Sequence, residues 1–389
     1  MSPSADGRSH RATYVGIAGT TLLVLAIVLT LVHRPGGDAR ADEVPASPAT
    51  ARAASSKLPR VRHVFVVNIE NKGFRTTWGR HSAAPYLART LRAKGLLLTQ
   101  YYGTAHHSLG NYTAQISGQG PTYAIQHDCG TYRPFVESKP TPAWPGQVVG
   151  DGCVYPKKVA TLAGQLDRAG LSWRGYMEDM AQPCQHSRLG HGEQWSSATP
   201  REQYATRHNP FMYFRSITSR PAYCRAHVKP LAALSHDLRV KSRTRTLSYI
   251  TPDLCHDAHD ATCADGGPGG LRAANVWFKT WVPRILRSPA FRANGMLVIT
   301  ADESEGASED SRACCGEGPG PNAGLPGLEG PGGGRIGALV ISRFVEAGGT
   351  SSRGYNHYSL LGSIEDLFGL RRLGYARTVS HVFRGDVYR

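Results

Sequence analysis

Apolar runs rich in branched residues alternate along this chain with segments of helical periodicity. Because such alternation favours a parallel sheet covered on both faces, the sequence predicts an α/β fold with a mostly parallel central sheet and helices on both faces. The predicted strands are His63–Ile69, Leu96–Tyr102, Trp173–Met177, Thr246–Thr251, Gly295–Thr300 and Ala338–Ser342. The predicted helices are Ala84–Lys94, Leu109–Ile116, Lys158–Ala169, Pro230–Val240, Gly270–Leu286 and Tyr358–Leu370.

Residues 1–41 have the pattern of a signal peptide or signal anchor. Basic residues precede an uncharged apolar run over residues 15–32, whose length lies at the border between a signal-peptide core and a membrane anchor. The tripeptide Ala39-Arg40-Ala41 resembles a cleavage site. Residues 42–58, rich in Ala, Pro and Ser, predict a flexible linker. We therefore expect residues 59–389 to be secreted or anchored to the outer face of the cytoplasmic membrane.

Three later segments predict irregular structure. Residues 119–157 and 181–225 are rich in proline, glycine, cysteine and aromatic residues, and predict loops or a small cap over the carboxyl edge of the sheet. Residues 316–335 are dominated by glycine and proline and predict a loop. These insertions would shape any pocket at that edge, but their composition carries no readable code for a substrate.

The chain has eight cysteines, all of which follow the predicted targeting segment. An even number of cysteines in an exported protein indicates disulfides. Proximity in the sequence predicts Cys129–Cys153 and Cys255–Cys263. The adjacent Cys314 and Cys315 are expected to pair with different partners, because a bond between neighbouring residues strains the backbone.

The formal net charge is +16, and the basic residues are scattered without a long run. This pattern disfavours a nucleic-acid partner and favours attraction to anionic substrates or anionic lipid surfaces. A basic surface with no dedicated partner is the open alternative. We expect a monomer.

Polar side chains follow three of the predicted strands and open the last predicted helix. Since an acidic residue after a strand is usually a helix cap, each is weak evidence alone, but open α/β sheets gather such residues in one crevice. The residues are Glu70 and Asn71 after the first strand, Asp257 and His259 after the strand near 250, Asp302 and Glu303 after the strand near 298, and His357 at the helix.

A turn at His106-His107-Ser108 delivers a serine onto the start of a predicted helix. A helix N-terminus favours an anion, because its backbone N–H groups and dipole are positive. Metal ligands beside an activated serine point to hydrolysis of phosphate or sulfate esters. Oxygen ligands suit calcium, magnesium or manganese, while nearby histidines keep zinc or iron open.

The chain resembles the bacterial phosphoesterase family that contains acid phosphatases and phospholipases C of the phosphatidylcholine type, within the alkaline phosphatase superfamily. The resemblance extends from about residue 61 to 372 and rests on five motifs that are specific together. The motifs are Glu70-Asn71-Lys72-Gly73-Phe74, His107-Ser108-Leu109-Gly110-Asn111-Tyr112, the run from Pro252 to Asp260, Thr300-Ala301-Asp302-Glu303, and His357-Tyr358-Ser359-Leu360-Leu361.

This resemblance implies an alkaline-phosphatase-like sandwich with a divalent metal ion at the site. Ser108 would be the nucleophile and form a phosphoserine intermediate. The implied metal ligands are Glu70, Asn71, Ser108, Asp302 and Glu303. The residues implied around the phosphoryl oxygens and the leaving group are His106, Asp257, His259 and His357.

The implied activity is hydrolysis of phosphate monoesters by an exported, metal-dependent enzyme of the acid phosphatase kind. The alternative is a phospholipase C that cleaves lipid head-group phosphodiesters. The expected phosphate-ester substrates therefore include lipid-derived ones. The serine nucleophile and the continuation Lys72-Gly73-Phe74 favour the monoesterase, because the phospholipase branch resembles threonine users with a different continuation. A non-catalytic cell-surface binding protein with this fold is the third interpretation.

Overall fold

The computed structural model describes residues 58–316 and 318–389. The predicted targeting segment and all but the last residue of the predicted linker therefore lie outside the described residues. Among the helices of the described part, none is both long enough and apolar enough to cross a membrane.

The described residues form twelve strands and nine α-helices. The strands are β1 His63–Ile69, β2 Leu96–Tyr102, β3 Thr131–Tyr132, β4 Val136–Ala143, β5 Gln147–Asp151, β6 Trp173–Met177, β7 His191–Gly192, β8 Val228–Pro230, β9 Leu247–Thr251, β10 Gly295–Ala301, β11 Ala338–Ser342 and β12 Thr350–Asn356. The α-helices are α1 Phe74–Trp78, α2 Ser108–Ser117, α3 Leu162–Arg168, α4 Arg215–Thr218, α5 Pro221–His227, α6 Ala232–Asp237, α7 Gly270–Arg287, α8 Pro289–Asn294 and α9 His357–Leu367.

Eight strands form the central sheet in the order β12-β2-β11-β10-β1-β9-β6-β8. All neighbours are parallel except where β11 runs antiparallel to β10 and to β2. Every residue of β1, β9, β10 and β11 is buried. Because successive side chains of a strand point to opposite faces, both faces of the sheet are covered. The predicted α/β fold with a mostly parallel sheet is confirmed.

Each of the six predicted strands is present, with bounds that differ by one residue at most. The prediction missed both edge strands of the central sheet, β8 and β12. Strand β8 has only three residues, and the sequence of β12, Thr-Ser-Ser-Arg-Gly-Tyr-Asn, is polar because this edge strand exposes several side chains. The helix predicted over Ala84–Lys94 is a π-helix at Tyr86–Leu91 followed by a 3₁₀ turn at Arg92–Lys94.

The two segments predicted as irregular contain small elements of their own. The first includes the antiparallel hairpin of β4 and β5, and the second includes β7, α4 and most of α5. A 3₁₀ turn at Thr206–His208 and another at Pro210–Tyr213 also lie in the second segment. In the described part of residues 316–335 the structure has neither helix nor strand, as predicted.

All eight cysteines form disulfides. The predicted Cys129–Cys153 and Cys255–Cys263 pairs are confirmed, and a third bond joins Cys184 to Cys224. The prediction for the adjacent cysteines was wrong: Cys314 and Cys315 are bonded to each other. Since the other six cysteines are already paired, neither has another thiol as a partner.

Candidate active site

The register of the central strands brings two acidic residues side by side. Ile69 pairs with Ala301 in the parallel β1–β10 ladder, so Glu70 and Asp302 are the next residues on neighbouring strands. The Asp302 N–H donates to the Ile69 carbonyl at 2.9 Å, and the Glu70 N–H donates to the Asp257 carbonyl at 2.7 Å. Three predicted site residues from separate sequence regions therefore meet at the carboxyl edge of the sheet.

A compact turn places Ser108 at the start of α2. The Asn111 side chain holds this turn, because its Oδ1 accepts from the Thr104 and Ala105 N–H groups at 2.8 and 3.0 Å. Its Nδ2 also donates to the Ala105 carbonyl at 2.9 Å. A Cβ atom at Gly110 would lie 2.7 Å from the Ala105 Cβ, so this close approach requires a glycine. The serine is therefore presented by a fixed backbone.

Ser108 and Tyr112 both bond to the same carboxylate. The Ser108 hydroxyl donates to Glu70 Oε2 at 2.9 Å. One helical turn later, the Tyr112 hydroxyl donates to Glu70 Oε1. Since residues i and i+4 lie on one face of a helix, α2 directs both hydroxyls at Glu70. All three side chains are buried.

His208 links two of the acidic residues. Its Nε2 lies 3.2 Å from Glu70 Oε2, and its Nδ1 lies 3.2 Å from Asp257 Oδ2. The imidazole stacks on the Tyr112 ring, with centroids 5.4 Å apart and planes within 9°. Burial lowers the pKa of His208, so the ring is held as a neutral imidazole that can ligate a metal ion.

Asn71 adopts a strained backbone conformation at the same edge. Its φ of 44° lies in the left-handed region, which asparagine tolerates better than most residues. Its N–H donates to Asp302 Oδ1 at 3.0 Å, while its side-chain Oδ1 is buried without a hydrogen-bond partner. Asp302 Oδ2 is likewise buried without one. These unsatisfied oxygens are electron-pair donors with nothing to bind.

Four carboxyl groups are buried together at this edge. Burial raises the pKa of Glu70, Asp257, Asp302 and Glu303 above the ordinary range of carboxylic acids. A bound cation would reverse that effect and hold the carboxylates ionised. Ligand atoms of Glu70, His208 and Asp257 lie within 4.8 Å of one another. The donor set, three carboxylates with an amide oxygen and an imidazole, therefore fits a divalent metal ion.

Glu303 and His106 form a pair beside this cluster. His106 Nδ1 lies 2.5 Å from Glu303 Oε2, and both side chains are almost completely buried. His106 Nε2 also lies 3.1 Å from the Asp310 carbonyl, which can only accept a hydrogen bond, so Nε2 carries a proton. Burial lowers the pKa of His106. The pair fixes the first residue of the serine turn to the end of β10.

The other two predicted histidines occupy different positions. His259 is half-buried, with Nδ1 2.7 Å from Asp260 Oδ1 and its ring centroid 6.1 Å from that of His208. His357 is completely buried, and its Nε2 donates to the Asp302 carbonyl at 2.6 Å. Its Nδ1 therefore accepts, from the Tyr101 hydroxyl at 3.2 Å and the Gln115 amide at 3.1 Å. Burial lowers the pKa of His357 to about 4.

Two further charged residues flank the serine turn. Asp128 Oδ1 accepts from the Leu109 N–H at 2.9 Å, and its Oδ2 lies 3.7 Å from Arg207 Nε. Arg207 is only 7% exposed, and its charge opposes the rise in the pKa of both Asp257 and Glu303. A largely buried guanidinium beside the serine turn can bind a phosphoryl group.

Four residues of the site were not predicted from the sequence: Tyr112, Asp128, Arg207 and His208. Tyr112 is the last residue of the motif that begins at His107, and its i+4 spacing from Ser108 could have indicated a shared helix face. Arg207 and His208 lie in the segment predicted as irregular, which has no periodicity to mark a buried side chain. Their role becomes visible only once the chain folds the 3₁₀ turn at Thr206–His208 against α2.

The sequence model of the Phosphoesterase family matches residues 80–371, so the chain belongs to that family. Similar proteins include the phosphate-repressible acid phosphatase of Penicillium chrysogenum, 25% identical over 284 residues, covering 73% of this chain and 54% of that protein. Another is the acid phosphatase of Aspergillus fumigatus, which is 23% identical over 300 residues; the match covers 75% of this chain and 53% of that protein. This chain thus spans about half the length of these fungal relatives.

A bacterial relative matches over most of both chains. It is the phosphatidylinositol-3-phosphatase of Mycobacterium tuberculosis, 24% identical over 327 residues, covering 83% of this chain and 82% of that protein. Among solved structures, the lipoteichoic acid synthase LtaP of Listeria monocytogenes has a TM-score of 0.48 at 9% identity, covering 83% of this chain and 78% of that one. A protein of the alkaline phosphatase superfamily from Vibrio parahaemolyticus has a TM-score of 0.47 at 11% identity, and the match covers 82% of this chain and 68% of that one.

Proposed function

We propose that this protein hydrolyses phosphate monoesters through a phosphoserine intermediate on Ser108, with the help of a divalent metal ion. The observation that carries the proposal is the hydrogen bond of 2.9 Å from the Ser108 hydroxyl to Glu70, inside a cluster of buried carboxyl groups. Membership of the Phosphoesterase family supports the class of reaction, and three relatives named as phosphatases support the monoester substrate.

The metal ion would be held by Glu70, Asn71, Ser108 and Asp302, with His208 as a further donor. The unpartnered buried oxygens of Asn71 and Asp302 support this assignment. When bound, such an ion lowers the pKa of a serine hydroxyl and neutralises the charge that develops on the phosphoryl group.

Ser108 is the nucleophile of the proposed reaction. Its hydroxyl proton points at Glu70 Oε2, which can accept it as the oxygen attacks phosphorus. Tyr112 holds the other oxygen of Glu70 and so keeps the carboxylate oriented. The alcohol of the substrate leaves, and water then attacks phosphoserine to release phosphate and restore the hydroxyl.

Arg207 and the N-terminus of α2 would bind the non-bridging phosphoryl oxygens. Both are positive, and a monoester dianion gains more from them than a diester monoanion does. His259 is the proposed proton donor to the leaving oxygen, because it is half-buried and within reach of solvent. His106 would position the serine turn through Glu303, and His357 would position Asp302 through its backbone carbonyl.

The phospholipase C interpretation is the second candidate, and one experiment separates the two. Purified protein is assayed with p-nitrophenyl phosphate and with dispersed phosphatidylcholine at matched concentrations. We expect the monoester to be hydrolysed faster. Faster release of phosphocholine from the lipid would overturn the phosphatase proposal. No hydrolysis of either by metal-loaded protein would favour the non-catalytic binding protein.

Export from the cytoplasm is also part of the proposal. All eight cysteines are paired in disulfides, which persist in oxidising compartments and are rare in the reducing cytosol. The predicted targeting pattern of residues 1–41 agrees with this location.

A further inference from the structure

The β4–β5 hairpin presents an aromatic side chain to solvent. Trp144 lies at the turn between the two strands and is 74% exposed, and Val136 at the start of β4 is 68% exposed. The Arg377 guanidinium lies 4.7 Å from the centroid of the Trp144 ring and donates to the Pro145 carbonyl at 2.8 Å. This contact fixes the turn to the body of the protein, so that Trp144 is held outward rather than folded back.

A groove of about 670 Å³ opens between this hairpin, α3 and residues 371–377. Prolines from the hairpin line one side, and the side chains of Lys158, Arg168, Arg371, Arg372 and Arg377 surround it. We call the hairpin and this groove together the basic face. It lies towards the C-terminal end of α2, whereas Ser108 lies at the N-terminal end of that helix.

Most of the positive charge of the basic face is uncompensated. Lys158 pairs with Glu137 at 2.7 Å, and Arg372 pairs with Asp366 at 2.6 Å. Within the described residues, no ion pair engages Arg168, Arg371 or Arg377, nor the exposed Lys139 of β4. The basic face therefore carries four cations without acidic partners, and one of them, Arg377, contacts the outward-pointing Trp144.

We propose that the basic face docks the protein on an anionic phospholipid surface. A tryptophan held in solvent next to cations matches the interface of a bilayer, where aromatic rings lie at the level of the head groups. The lysine and arginine side chains of the basic face gain energy from anionic head groups. A soluble anion would bind the cations but would leave Trp144 and Val136 exposed to water. A lipid surface accounts for both the cations and the exposed apolar side chains.

Two further exposed apolar residues belong to segments that contact the end of the hairpin and the serine turn. Tyr123 is 63% exposed and Leu325 is 54% exposed. Ala124, which follows Tyr123, donates its N–H to Asp151 Oδ1 at the end of β5, at 2.9 Å. The carbonyl of Pro326, which follows Leu325, accepts from the His106 N–H at 3.0 Å. His106 lies two positions before Ser108. Docking would therefore bring the proposed active site close to lipid phosphate groups. The docking itself does not depend on the proposed function; this consequence for turnover does.

Vesicle co-sedimentation tests the proposal on the folded, disulfide-bonded protein. Wild-type protein is mixed with phosphatidylcholine vesicles, with and without phosphatidylserine. The docking variant combines Lys139→Glu, Arg168→Glu and Arg371→Glu. Its matched control combines Arg239→Glu, Arg272→Glu and Arg287→Glu, which are exposed, do not line the groove, and change the net charge equally. A third variant is Trp144→Ala.

We expect wild-type protein to bind the anionic vesicles preferentially and to be released by salt. The docking variant should lose about 100-fold in affinity, since each cation near such a surface contributes about one kcal/mol. Trp144→Ala should lose about 10-fold. The control variant should bind within about 3-fold of wild type, and all variants should hydrolyse p-nitrophenyl phosphate at the wild-type rate.

Three outcomes would overturn the docking surface. One is equal loss of binding in the docking variant and its control, which would mean attraction by net charge alone. Another is release by inorganic phosphate but not by chloride at equal ionic strength, which would assign the groove to a free phosphate. The third is tighter binding to a DNA duplex than to the vesicles. Intact vesicle binding without any hydrolysis would instead count against the proposed function and leave the docking surface standing.

Discussion

The Ser108 hydroxyl donates a hydrogen bond of 2.9 Å to Glu70 Oε2 across two separate elements of the fold. Ser108 opens α2, and Glu70 follows the last residue of β1. Parallel strands and helix N-termini meet at this edge in α/β proteins, which is why a serine and a carboxylate so distant in sequence are in contact. The proposed mechanism depends on this contact.

Ser108→Ala should abolish turnover while leaving the protein folded. The substitution removes the attacking oxygen, so we expect a loss of several orders of magnitude in kcat. The lost hydrogen bond should change the free energy of unfolding by only about 1–3 kcal/mol, the cost of leaving one buried acceptor without its donor. Steady-state kinetics and thermal unfolding measure the two effects. Retained activity in folded Ser108→Ala protein would contradict the nucleophile assignment.

Asp302→Asn should weaken metal binding and activity together. It removes one of the buried carboxylates while keeping the shape of the side chain, so metal content after dialysis should fall and excess metal should restore part of the rate. Exposed Asp265→Asn is the matched control and should behave as wild type. Elemental analysis and kinetics are measured on the same samples. Full activity in metal-free wild-type protein would rule out the metal-dependent mechanism.

Arg207→Gln should raise KM for phosphate monoesters more than it lowers kcat. A charge-assisted hydrogen bond to phosphate contributes about 1.5–3 kcal/mol, which corresponds to roughly 10- to 150-fold in binding. Inhibition by inorganic phosphate should weaken by the same factor, since phosphate uses the same guanidinium. Exposed Arg215→Gln serves as the control. If phosphate inhibition is unchanged, Arg207 does not contact the phosphoryl group.

Glu365→Gln should stabilise the protein at neutral and alkaline pH. Burial raises the pKa of Glu365 from 4.5 to about 9. Between these values the folded chain keeps a proton that the unfolded chain has released, so stability falls as pH rises, by up to about 1.4 kcal/mol per pH unit from this group. Glutamine removes the ionisation and should flatten the dependence. Denaturant unfolding from pH 5 to 9 measures this pH dependence, with the exposed Glu346→Gln variant as control. If the free energy of unfolding falls with pH equally in wild type and Glu365→Gln, Glu365 does not have the raised pKa.

Thiol titration of the denatured, unreduced protein should find no free cysteine, because all eight are paired. Protein isolated from its native compartment is the correct sample. Eight free thiols in that sample would contradict export. Reduction should lower the unfolding temperature, since Cys129–Cys153 and Cys184–Cys224 close loops within residues 119–157 and 181–225.

The central strands could be predicted because burial on both faces leaves continuous apolar runs, as in His63–Ile69. Glu70 and Asp302 could be predicted as site residues because a polar residue directly after such a run is conspicuous. The polar edge strand β12 gave no such signal. Arg207 and His208 were missed because only tertiary contacts bring their segment against α2 and Glu70. The Cys314–Cys315 bond was missed because its formation depends on where the other six cysteines lie.

Trapping the covalent intermediate tests the central claim most directly. Metal-loaded enzyme is mixed with p-nitrophenyl phosphate, quenched in acid during turnover, digested and analysed by mass spectrometry. We expect one phosphoryl group on the peptide that contains Ser108, formed and lost at rates compatible with kcat, and absent from Ser108→Ala protein. Turnover by wild-type enzyme with no phosphoryl group on Ser108 at any quench time, under conditions that preserve phosphoserine, would contradict the proposed mechanism.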